Sequence, residues 1–156
     1  MIRRPPRSTQ GVSSAASDVY KRQGRDNPEL RKHWKPVFDK YRVDMVLQGH
    51  DHSYARGRNL PLGINTHNEQ SGTVYVVSVS GPKMYEIGSR DWMDRAGENT
   101  QLFQKLSVTY NKVAYQAITA TGQLYDAFEI IKQENSPNRL VEKIPAEHTF
   151  SSHKKK

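Results

Sequence analysis

Between Gln101 and Ile131, three runs of strand-forming composition follow one another with almost no chain between them, which constrains the fold more than any other feature. The runs are Gln101–Thr109, Lys112–Ala120 and Gln123–Ile131, and their junctions, Tyr110-Asn111 and Thr121-Gly122, hold residues suited to tight turns. Connections this short can only reverse the chain, because parallel neighbours need a crossover of roughly a dozen residues. The pattern predicts an antiparallel meander, with Leu124, Phe128 and Ile130 lining one face of its last strand.

The chain ahead of the meander reads differently. Asn27 can cap a helix whose first position is Pro28, and Glu29 in the first turn suits the helix dipole. Leu30, Trp34, Val37, Phe38 and Tyr41 then recur at helical spacing and form one apolar stripe. Pro36 falls inside it, which predicts a kink or two short helices in succession. Val43–Leu47 is a short apolar run ending at Gln48-Gly49, the pattern of a strand buried on both faces. Thr73–Ser80 repeats the strand signal through Val74, Val76, Val77 and Val79, until Gly81-Pro82 stops it. The expected class is α/β, α+β by content: one helical region followed by a mostly antiparallel set of strands.

Both ends of the chain lack periodicity. Residues 1–23 carry Arg3, Arg4, Arg7, Lys21 and Arg22 against Asp18 alone, a net of +4, and Lys154–Lys156 add +3, so only +1 of the total +8 belongs to the middle. A basic binding face is therefore not a property of the folding part, and neither a nucleic-acid nor a membrane partner is expected. The first 23 residues read as a disordered leader without the apolar core of a secretory signal, and they resemble a translated sequencing-adaptor artefact rather than native chain. The expected organisation is a leader over 1–23, a partial domain over 24–132 and a polar tail, or edge extension, over 133–156. The chain has no cysteine, which removes disulfides and thiolate metal sites from consideration.

The constellation that carries chemistry is Gly49-His50-Asp51-His52-Ser53-Tyr54, directly after the predicted buried strand. Histidines at i and i+2 of an extended backbone face the same side, so both imidazoles can address one cleft, and Gly49 can supply a sharp turn beneath them. Imidazole suits zinc, iron and manganese, and strand ends of open sheets are where ligands bind. Taken alone, the triplet is more ordinarily explained by two surface or capping histidines, so its context has to decide. Asp51, between them, points away and reads as a solvated or loop-stabilising carboxylate. Tyr54 and Arg56 follow closely enough to support the ligands or touch substrate, although a tyrosine packed on the sheet and an arginine paired with a carboxylate is the more ordinary arrangement. His33, His67, His148 and His153 read as plain solvated histidines.

The whole run from Phe38 to Arg56, FDKYRVDMVLQGHDHSYAR, resembles the last metal-binding block of calcineurin-like metallophosphoesterases, and of purple acid phosphatases in particular. The resemblance includes the preceding helix and extends through Gly72–Tyr85 and the hairpins to about Ile131. It implies the C-terminal part of a four-layered α/β/β/α sandwich. It also implies that His50 and His52 ligate different ions of a two-metal centre, iron with zinc, manganese or a second iron, with the second histidine on the iron in iron-containing members. The chemistry implied is acid phosphatase-like hydrolysis of phosphate monoesters, the ions clamping the phosphoryl oxygens and lowering the pKa of a water. Export of the parent to the periplasm or beyond follows from the same resemblance.

The family's earlier blocks, an Asp-x-His, a Gly-Asp with the bridging carboxylate, a Gly-Asn-His and a further histidine, are not found before Gly24. Without the bridging carboxylate, two ions cannot be held at roughly 3.5–4 Å against their repulsion. The expectation is an inactive C-terminal fragment with at most partial metal binding, exposing apolar surface from Val43–Leu47 and Val74–Val79 through which it can self-associate. Readings from other classes stay open at this point: a non-catalytic module binding an anionic partner, or a lone site in which His50 and His52 hold a single metal ion.

Overall fold

The computed structural model describes residues 28–49, 52–59, 69–78, 80–85, 87 and 93–144, with the backbone alone for 28–31. Helix α1 (Pro28–Lys40) runs undivided through Pro36, contrary to the two short helices the proline suggests. The proline has no N–H to give to the preceding turn, but this stretch faces solvent. Lys32, His33, Lys35 and Pro36 are all exposed, so water can take the hydrogen bond. The helix ends in a left-handed C-terminal turn: Val43 N–H donates to Phe38 O at 3.0 Å, Arg42 N–H to Asp39 O at 3.2 Å, and Arg42 has φ 49°. The expected cap at Asn27 lies outside the described residues.

The first sheet holds β1 (Met45–Gln48), β2 (Tyr54–Arg58), β4 (Val74–Val77) and β5 (Met93–Gly97), in the order β1-β4-β2-β5. β1 and β4 are parallel, with Gln48 opposite Val77, and the other pairings are antiparallel. β1 is an edge strand, so the expectation of burial on both faces fails there: Leu47 is 50% exposed. β4 is interior, and the apolar surface expected from Val74 onward is instead covered, with Val74, Tyr75, Val76 and Val77 at most 2% exposed. Val79 lies outside the described residues.

The second sheet is wholly antiparallel, in the order β3-β9-β8-β7-β6, where β3 is Gln70–Ser71, β6 Leu102–Val108, β7 Lys112–Thr119, β8 Leu124–Ile131 and β9 Asn138–Glu142. The meander is present at the predicted positions, with Leu102 opposite Thr119 and Tyr115 opposite Phe128. β9 falls in the stretch expected to be a polar tail or an edge extension, and it extends the sheet beside β8. It forms because Leu140, 3% exposed, fills the inter-sheet core while β9 bridges β8 and β3. Only Leu140 and Val141 are apolar in this strand, too few to mark it by composition.

The core lies between the sheets. Tyr54, Val74 and Val76 from the first meet Leu102, Tyr115, Ala117, Tyr125, Phe128, Ile130 and Leu140 from the second. Alternation along β4 turns Tyr75 to the opposite face, where Phe38 of α1 meets it at 6.3 Å between ring centroids. Asn59 joins the same contact, its amide nitrogen 3.0 Å from Asp39 Oδ1 and 3.1 Å from the Tyr75 hydroxyl. The result is a helix on a mixed sheet on an antiparallel sheet, the α/β arrangement expected. The other described side chains of the α1 stripe stay partly exposed, Trp34 at 42%, Val37 at 41% and Tyr41 at 69%. Among the described residues, no helix is long and apolar enough to cross a membrane.

Candidate metal centre

Because β1 and β4 run parallel, the segments leaving them emerge at the same end of the sheet. One leaves β1 at Gly49, ahead of His52, and the other leaves β4 at Ser78, ahead of Lys83 and Tyr85; strand ends of this kind are where open sheets bind ligands. His50 and Asp51 lie outside the described residues, so the pairing of the two histidines rests on sequence. Gly49 is not in the left-handed region, and a Cβ there would meet nothing within 4 Å among the described residues, so none of them imposes a steric demand for glycine at this position. Gln48, just before it, is 6% exposed, and neither polar atom of its amide has a hydrogen-bond partner among the described residues.

His52 is held from several sides. Its Nδ1 lies 2.5 Å from Lys83 O, its own carbonyl accepts the Tyr85 N–H at 2.8 Å, and its ring lies 4.8 Å from the Tyr85 ring at an interplanar angle of 36°. A carbonyl oxygen can only accept, so Nδ1 carries the proton, and in the neutral ring the lone pair is on Nε2. Among the described residues Nε2 has no hydrogen-bond partner. An imidazole anchored through one nitrogen and open at the other is how metal-binding histidines are held, so His52 fits the part of one ligand. No group of three or more His, Cys, Asp or Glu side chains suited to a metal stands together among the described residues.

Tyr54 and Arg56 are turned away from this end, into the core. Arg56 is 1% exposed; its Nε donates to Asp126 Oδ2 at 2.8 Å, and Nη1 and Nη2 each reach a Glu142 oxygen at 2.9 Å. The guanidinium also lies over the Phe128 ring, 4.9 Å from its centroid. Tyr54 Oη donates to Asp126 Oδ2 at 2.6 Å, and Arg95 approaches the same carboxylate at 3.8 Å. Burial alone would lower the Arg56 pKa, but Asp126 and then Glu142 outweigh it and hold the pKa above its usual value. Burial, then the Asp126 charge, pushes the Tyr54 phenol well up.

This network ties β2, the strand that follows His52, to β8 and β9 of the other sheet. Neither carboxylate was singled out from the sequence. Asp126 had a signal, a charge at an inward position between Leu124 and Phe128 that demands a buried partner. Glu142 had none, because its strand was itself unseen. Among the other histidines, His33 is exposed on α1, and His67, His148 and His153 lie outside the described residues.

Comparison with solved structures finds the purple acid phosphatase PPD1 from yellow lupin (Lupinus luteus) seeds, with a TM-score of 0.58, 22% sequence identity, and coverage of 76% of this chain and 24% of that one. Among curated proteins, the uncharacterized proteins Rv2577 and MT2654 of two Mycobacterium tuberculosis strains, H37Rv and CDC 1551 / Oshkosh, are each 33% identical over 66 residues. That match takes in 33% of this chain but only 12% of either relative's length. No protein-family model matches. The fold over most of the chain is therefore that of the C-terminal part of a purple acid phosphatase-like domain.

Proposed function

We propose that this chain contributes part of the metal site of a dinuclear-metal-dependent phosphoesterase that hydrolyses phosphate monoesters. One observation supports the reading: within a purple acid phosphatase-like fold, His52 follows the end of the parallel strand pair with Nδ1 engaged and, among the described residues, no partner at Nε2. His50, two residues earlier, would serve the second ion. Bound metals would neutralise phosphoryl charge and acidify a water. What this chain supplies is position. The β1–β2 connection carries His52, and the Arg56–Asp126–Glu142 network holds β2 against the second sheet. Arg56 and Tyr54 act here as supports of the strand, and the described residues do not assemble a bridging carboxylate.

A chain with one partial ligand set should bind metal without turning over substrate. Titration of the full chain with zinc is expected to show binding that the His50→Ala, His52→Ala double variant lacks, while hydrolysis of para-nitrophenyl phosphate stays at background. In a protein carrying the contiguous upstream coding sequence, metal-dependent hydrolysis should appear and be lost in His52→Ala. Equal zinc affinity in the chain and the double variant would remove the reading.

A further inference from the structure

The segment after β4 touches His52 in three separate ways, and nothing in the β1–β2 motif by itself requires this. Lys83 contributes only its backbone carbonyl, which takes the Nδ1 proton at 2.5 Å. Tyr85 contributes a backbone N–H to His52 O at 2.8 Å and a ring at 4.8 Å. The Lys83 ammonium lies 5.4 Å from the centroid of that same tyrosine ring, so it closes over the far partner of the stack. The contacts link two segments 31 residues apart in sequence, brought together because β1 and β4 are parallel neighbours whose ends point the same way.

We propose that Lys83–Tyr85 is a positioning strap for His52: the Lys83 carbonyl selects the Nδ1–H tautomer, and the Tyr85 backbone and ring fix the plane in which Nε2 is presented. This rests on reading His52 as a metal ligand only for its consequence, not for the geometry itself. In a free imidazole the Nε2–H form predominates, which would place a proton where the metal must bind, so an anchor on Nδ1 removes that competition before any ion arrives. The anchor is a backbone carbonyl and therefore does not depend on which side chain stands at position 83. The ring of Tyr85 does depend on its residue type and is the part open to substitution. Tyr85 is a positioning residue in this scheme, since it acts through His52.

The tautomer can be read without metal and without turnover. In the full-length chain labelled with ¹⁵N-histidine and freed of metal, the His52 ring signals, assigned by their loss in His52→Gln, should show Nδ1 protonated and Nε2 bare while the ring is neutral. A predominantly Nε2–H signature in the unsubstituted chain would overturn the proposal, and no variant is needed to obtain that result. Tyr85→Ala, which keeps the backbone N–H but removes the ring, is expected to mix the two tautomers and to weaken zinc binding by about 10-fold. An unchanged tautomer and unchanged affinity in a variant with the parent circular dichroism spectrum would equally overturn it. A chain that shows the Nδ1–H form, loses it in Tyr85→Ala and yet binds no zinc would uphold the strap and refute the metal-site function, so the two failures are distinguishable.

Discussion

At the scale of single residues, the Arg56 guanidinium is the group the fold can least do without. It is buried against Asp126, itself 0% exposed, and removing it leaves that charge in the inter-sheet core with only the Tyr54 hydroxyl and the more distant Arg95 to offset it. Arg56→Ala is expected to destabilise the chain by about 3–5 kcal/mol in urea unfolding. Glu142→Gln, at a half-exposed partner, should cost less than about 1 kcal/mol. Tyr54 and Tyr115 predict an alkaline limit. Burial raises both phenols, so above the ordinary value of about 10 the unfolded chain ionises while the folded chain keeps its protons. The unfolded state then binds fewer protons, and stability falls as pH rises from about 10 towards the raised folded values. Tyr54→Phe should flatten that decline, at a cost near neutrality of about 1–3 kcal/mol for the hydrogen bond lost by buried Asp126. Melting temperatures followed from neutral to strongly alkaline pH would show both effects. Arg56 was legible in the sequence as an arginine in need of a carboxylate. Which carboxylate was not legible, since Asp126 is 70 residues away and only the packing of the two sheets brings it near.

At the scale of elements, local chemistry and tertiary demand disagree most at the end of α1. The C-terminal turn requires a left-handed residue, the position glycine usually fills, and here Arg42 occupies it with φ 49°. Arg42→Gly should therefore stabilise the chain by about 0.5–1 kcal/mol, the relief of left-handed strain less glycine's extra chain entropy. A rise in the urea midpoint with an unchanged slope would bear this out, and a fall would show that the arginine side chain contributes more than the backbone conformation costs. The second hairpin places a glycine where its backbone needs one, with φ +87° at Gly122 and Gly122 N–H bonded to Thr119 O at 2.9 Å. That turn, the meander and the helix were all readable because each depends on residues close in sequence. β9 was not, because its five residues become a strand only through the free edges of β8 and β3.

At the scale of the molecule, apolar side chains remain exposed in more than one place. Trp34, Val37 and Tyr41 on α1 and Leu47 on edge strand β1 are between 41% and 69% exposed. Leu47 pairs with Val76 and so shares the face turned to the second sheet rather than the face that carries α1, and exposed apolar groups of this kind drive association when nothing covers them. The chain is expected to self-associate in sedimentation experiments, and Trp34→Lys with Leu47→Lys should shift it towards monomer. Unchanged sedimentation of the double variant would place the contact elsewhere. The sequence by itself determined the helix, the strands around Met45–Gln48 and Val74–Val77, the three strands and turns of the meander, and the histidine motif that follows the first of these strands, because periodicity, turn chemistry and short spacing are local quantities. Only the tertiary structure decided that β1 is an edge and β4 is interior, that Tyr54 and Arg56 look inward to Asp126 and Glu142, and that Lys83 and Tyr85 close on His52. Each of these depends on which distant strands become neighbours, and that is settled by the burial of one sheet against the other rather than by any segment's own composition.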